Sequence, residues 1–166
     1  MIKGIRSVIV FFILCLILLS LQSTALGLLL PASLIPNLLL CLCLYLALFE
    51  GGAIGLLASF VAGIFLDLAS ATLLGPWAGA FVIIYCVLSV LSDRIFVESR
   101  FAIGVIAMGS SVAVELLFFL LSILSAETFF SSWLGIVGRA VATGMVASLM
   151  FSVFSFALPI RRITAI

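Results

Sequence analysis

Residues Gly51–Gly75 read GGAIGLLASFVAGIFLDLASATLLG, and the class of the whole protein turns on how that run is placed. Wound as an α-helix, Gly51, Gly55, Ser59, Gly63 and Asp67 recur at every fourth residue and stack on one face. Ala58 and Ala62 widen the face, and Leu, Ile, Val and Phe fill most of the remainder. In water each interior glycine would cost about 1 kcal/mol against alanine. In lipid, small-xxx-small faces are where helices approach closely, so the same run becomes a packing helix. It ends on a carboxylate, which costs about 2.5–3.5 kcal/mol at the middle of a bilayer. A small-residue groove closed by an acid is the feature around which the other helices are expected to be arranged.

Composition sets the same class for the full chain. Of 166 residues, 67% are hydrophobic and 8% charged, with a mean hydropathy of +1.60. Soluble domains carry about 25% charged residues, and no soluble core would hide this much apolar surface. The expected fold is all-α, a polytopic membrane bundle of about six transmembrane helices forming a single integral membrane domain over 1–166. The net charge of +1, without a basic patch, gives no footing for nucleic acid. Cys15, Cys41, Cys43 and Cys86 all lie in apolar runs and read as small buried thiols. No histidine is present. That removes Ser-His-Asp and Cys-His catalysis, most zinc sites and imidazole-ligated haem.

Taken in order, the spans are placed at about 5–21, 37–49, 53–68, 77–91, 101–124 and 133–158. The first follows Lys3 and Arg6 and reads as an uncleaved span. Gln22–Pro36 carries no charge and is expected at the interface or dipping into the bilayer. The second span is short, with Pro36 in its first turn and Glu50-Gly51-Gly52 at its end. Five spans is the alternative, with the second and third as a broken hairpin. If the N-terminus is cytoplasmic, Lys3, Arg6, Arg94, Arg100, Arg161 and Arg162 all fall inside, and the outer links hold no Lys or Arg. The positive-inside rule therefore puts both termini in the cytoplasm.

Four ionisable residues lie within or at the edge of spans: Glu50, Asp67, Glu115 and Arg139. At 1.5 Å per residue, Glu115 is roughly 10–15 Å and Arg139 roughly 9 Å from the outer surface, on consecutive antiparallel helices. They are predicted to pair. Ser111 and Ser122 share a face with Glu115, and Gly135 and Thr143 with Arg139. Such a pair would fix helix register, bind a partner or ligand, or relay protons. Asp67, near the outer surface and partly solvated, either caps the third span against the start of the fourth at Gly75-Pro76 or meets a partner. Glu50 reads as a solvated helix end, and Asp93–Arg100 as a solvated inner loop. Trp77 and Trp133 are placed at the outer interface, and the phenylalanines of the last two spans toward lipid. No nucleophile–base arrangement, phosphate-cradling loop or metal cluster is legible, so no cofactor or metal is expected and the chain reads as non-enzymatic.

Pro36-Asn37, Leu40, Tyr45, Gly55, Gly63, Asp67-Leu68, Ser70, Leu74-Gly75 and Tyr85 together resemble the pattern of the MreD family, the rod shape-determining membrane proteins of bacteria. The core of the likeness is GIFLDLASATLLG, and the matching region, about 36–85, covers somewhat under a third of the chain. Glu115 is similar to an acid that some members carry in the fifth span, whereas Glu50-Gly51-Gly52 replaces a link that is basic in relatives. The resemblance implies a non-enzymatic subunit of the cell-elongation machinery in the inner membrane. It implies MreC as partner, and through it MreB filaments and the elongation glycosyltransferase and transpeptidase, with membrane lipid around the bundle. Pro36, Asn37, Gly55, Ser59, Gly63, Asp67, Ser70 and Gly75 would then be packing or partner-binding positions. The family fold is similar to that of the substrate-binding membrane subunits of vitamin uptake transporters. That likeness supplies an alternative function, with Glu115 and Arg139 lining a small-molecule pocket.

Overall fold

A twelve-residue helix, too short to cross a bilayer alone, lies at the centre of the protein. The computed structural model describes residues 2–29, 31, 34–50, 52–70, 75–92, 100–125 and 133–157. The helices are α1 (Ile2–Ser20), α2 (Leu26–Leu29), α3 (Leu38–Phe49), α4 (Ala53–Ser70), α5 (Pro76–Ser92), α6 (Arg100–Ser125) and α7 (Trp133–Ala157). A π-helical turn, Leu21–Ala25, carries α1 into α2 without leaving helical geometry. The described residues form an all-α bundle with no strand.

The central element is α3. Every residue from Leu38 to Leu48 is buried, and the helix meets α1, α4, α5, α6 and α7. LLLCLCLYLALF is apolar on all sides, which suits either lipid or other helices as surroundings, and here other helices enclose it. Its twelve residues rise only about 18 Å, against a hydrocarbon thickness of about 30 Å. The glycine-striped α4 is therefore one wall of the bundle, and the expectation that the other helices are arranged around it is corrected. Pro36 sits two residues before α3 rather than in its first turn, and Asn37 is the N-cap.

Among the described residues four helices are long and apolar enough to cross a membrane: Ile9–Leu28, Ala53–Ser70, Phe101–Phe119 and Trp133–Phe156. Pro76–Ser92 and Leu38–Phe49 are shorter apolar helices. The chain is a multi-pass membrane protein. The first span lies further along the chain than 5–21, because the π turn extends the helix to Leu29 through residues expected at the interface. Residues 93–99 and 158–166, on which much of the orientation argument stands, lie outside the described residues, as does Gly51.

Two tight hairpins flank α3. In the first, α4 and α5 approach so closely at Gly63 that an added Cβ would stand 2.8 Å from the Ala78 nitrogen. In the second, α6 and α7 cross where Gly144 meets Gly104, and a Cβ on Gly144 would stand 2.9 Å from the Gly104 carbonyl oxygen. Small residues bring backbones together where lipid supplies no hydrophobic drive between helices. Phe151 and Phe154 turn inward onto Tyr45 of α3, with ring centroids at 5.5 and 5.7 Å, so these two do not face lipid as expected. Phe101, Phe119 and Phe156 are exposed, as is Cys86, unlike the other three thiols.

Candidate functional site

The stripe of α4 is filled from inside the chain. A Cβ on Gly55 would stand 2.9 Å from Tyr85 Cε2, and the Tyr85 hydroxyl donates to the Gly52 carbonyl at 2.9 Å. Ser59 is fully buried, and among the described residues its hydroxyl has no hydrogen-bond partner. Gly63 takes the Ala78 backbone. A helix from another protein has no room on this face unless it displaces α5.

Asp67 completes that seam. Its Oδ1 accepts from the Trp77 N–H at 3.0 Å, and its Oδ2 accepts from the N–H groups of Gly75 and Ala78 at 3.0 and 3.1 Å. The first turn of any helix presents N–H groups with no intrahelical partner, and its positive end favours an anion. Pro76 has no N–H to satisfy, so one carboxylate covers the next two donors of α5. Gly75 adopts φ +130°, which lets the chain turn into the carboxylate. Asp67 is 1% exposed, so it is not the partly solvated acid expected from its position near a helix end. Ser70 donates to the Asp67 carbonyl at 3.2 Å.

Glu115 and Arg139 are brought together, with Nη1 of the arginine 2.5 Å from Oε1 of the glutamate. Both side chains are mostly buried. One turn beyond Arg139, the Thr143 hydroxyl donates to the Arg139 carbonyl at 2.8 Å and accepts from the Asn37 N–H at 3.2 Å. This joins the ion-pair helix to the start of α3.

The start of α3 is held by three side chains. The Asn37 Oδ1 accepts from the Leu40 N–H at 3.0 Å, and Thr143 takes the Asn37 N–H. The Gln22 Oε1, aimed inward by the π turn, accepts from the Leu38 N–H at 3.0 Å. Beside them lies a cavity of about 200 Å³, whose polar lining comes from Gln22, Asn37, Ser70, Trp77, Ser111, Glu115 and Arg139. The π turn at Gln22 and the helix ends at Asn37, Ser70 and Trp77 meet around this cavity, which Glu115 and Arg139 reach from α6 and α7. Trp77 is half-buried, its ring centroid 4.3 Å from that of Phe118. Trp133 is exposed.

Gln22 and the inward role of Thr143 were not legible as a site. A π turn leaves no signature in an apolar run, and the partners of both residues are remote in sequence. Glu50 lies at the opposite end of α3, half-buried as its C-cap rather than freely solvated. Burial raises its pKa above the ordinary carboxylate value. The three carboxylates thus have separate environments: Asp67 binds α5 backbone, Glu115 binds Arg139, and Glu50 ends α3. Among the described residues no group of His, Cys, Asp and Glu is placed to hold a metal. Comparison of the chain with protein-family models, with curated proteins and with solved structures finds no match.

Proposed function

We propose that this chain is a non-enzymatic scaffold of the bacterial cell-elongation machinery, of the MreD kind. In this reading it lies in the inner membrane with both termini cytoplasmic. It binds MreC and helps couple MreB filaments to the elongation glycosyltransferase and transpeptidase. The observation that carries the reading is the employment of the residues behind the resemblance. Asp67, Gly55, Gly63, Gly75 and Tyr85 all serve the α4–α5 seam, and Asn37 starts α3. Residues that set shape are what a scaffold needs from its most distinctive segment, and Asp67 has its oxygens committed to backbone donors. A partner's membrane helix would accordingly rest on a lipid-facing surface rather than in the filled stripe.

The cavity favours a second reading, a small-molecule-binding subunit of a vitamin uptake transporter. Its volume of about 200 Å³ is below the roughly 300–1,000 Å³ of ordinary ligand sites, which ranks this reading second. Depletion in the native host, paired with native mass spectrometry of the gently extracted protein, separates the two. The scaffold reading expects rounded cells and co-isolation, at fixed ratio, of a single-span protein with a large extracytoplasmic domain. Unchanged cell shape together with no such partner overturns it.

A further inference from the structure

The polar cavity is not used by the scaffold reading, and its lining is unbalanced. Gln22 and Asn37 each turn the amide oxygen to the α3 backbone, at 3.0 Å from the Leu38 and Leu40 nitrogens. Those bonds fix which end of each amide is the NH2 group. Among the described residues neither NH2 meets an acceptor, and the Ser111 hydroxyl has no hydrogen-bond partner. Asn37 and Ser111 are only 6% and 3% exposed, yet both line the cavity. Arg139 adds a guanidinium with one nitrogen engaged by Glu115. Side-chain donors are therefore in excess, near the N-terminal end of α3, whose dipole favours negative charge although its first N–H groups are already bound. Glu115 opposes a purely anionic guest. Its second oxygen and the Trp77 ring are suited to a cation.

We propose that the cavity binds a small zwitterionic group. Its anionic oxygens meet Arg139, Ser111 and the amides of Gln22 and Asn37, and its ammonium meets Glu115 and Trp77. A cavity of about 200 Å³, smaller than the roughly 300–1,000 Å³ of drug-sized ligand sites, suits a guest on the scale of a phosphoethanolamine or small amino-acid group. The group arrives either as the headgroup of a membrane phospholipid or as a free solute. The inference stands apart from the scaffold reading and is tested on purified protein.

The test uses Trp77 fluorescence in a Trp133→Phe background, Trp133 being exposed and outside the cavity lining. One arm titrates O-phosphoethanolamine in detergent. The other compares nanodiscs containing phosphatidylethanolamine with nanodiscs of phosphatidylglycerol alone, and native mass spectrometry reads retained lipid. Asn37→Asp and Gln22→Glu keep the oxygen that caps α3 and remove the donor, and Ser111→Ala removes a hydroxyl without added charge. Saturable binding in either arm is expected, with a loss of about tenfold or more in the variants and little change in melting temperature. Response in the lipid arm alone identifies a headgroup, and response to the soluble probe identifies a free solute. No saturable response in either arm, equal response to phosphatidylglycerol, or undiminished binding in all three variants overturns the proposal.

Discussion

The carboxylate of Asp67, in the last turn of α4, accepts a 3.0 Å hydrogen bond from the backbone N–H of Trp77, in the first turn of α5. With Gly75 and Ala78 also donating to it, one side chain joins the two helices across eight to eleven residues of chain. Asp67→Ala should lower stability by about 2–4 kcal/mol, since it leaves buried N–H groups without partners. Asp67→Asn retains one acceptor but sets an NH2 against a donor, and should fall between. Thermal unfolding in detergent measures both, and an unchanged midpoint for Asp67→Ala would refute the capping role.

Gly63 and Gly79 make a matched pair for testing the seam. A Cβ on Gly63 would collide with Ala78 backbone, which has no flexible end to move aside, whereas one on Gly79 meets nothing within 4 Å. Gly63→Ala should cost about 1–3 kcal/mol through overpacking, and Gly79→Ala should be neutral. Equal melting temperatures for the two variants would mean that the hairpin is looser than this geometry.

The ion pair should respond asymmetrically to truncation. Arg139→Leu strands a Glu115 side chain that is 12% exposed, at a cost of about 3–5 kcal/mol. The double change Glu115→Leu with Arg139→Leu should regain most of that loss. The exchange Glu115→Arg with Arg139→Glu should regain part of it. Failure of both double variants to improve on the single ones would show that the two residues are not energetically coupled.

Glu50 lies between α3 and α4, outside the spans, with its pKa raised by burial from the ordinary 4.5. A raised carboxyl pKa means that the folded state holds the proton more tightly than the unfolded chain does. Stability should then fall as pH rises from about 4.5 through the folded value, and stay at the lower level above it. Glu50→Gln should flatten that dependence and raise the melting temperature at neutral pH. A wild-type midpoint independent of pH between mild acid and neutrality would contradict this.

The sequence alone determined the solvent and the class. With two-thirds of its residues hydrophobic and 8% charged, only a membrane could receive this chain; of the two forms that satisfy a backbone there, helices and closed barrels, its continuous apolar runs suit helices. It also placed the hairpin partners, because Glu115 and Arg139 are short range in depth along consecutive helices, and Asp67 is ten residues from Trp77. What only the tertiary structure decided is which helix is surrounded. Both α3 and α4 are apolar runs, and lipid and protein interior are equally apolar neighbours, so hydrophobicity does not tell a central helix from a wall. The shortness of α3 decides it once α1, α4, α5, α6 and α7 are packed around it. The same ambiguity hid the cavity: Gln22, Asn37, Ser111 and Arg139 are far apart in sequence, and only the inward aim of the π turn and the crossing of α7 over α3 bring them together around it.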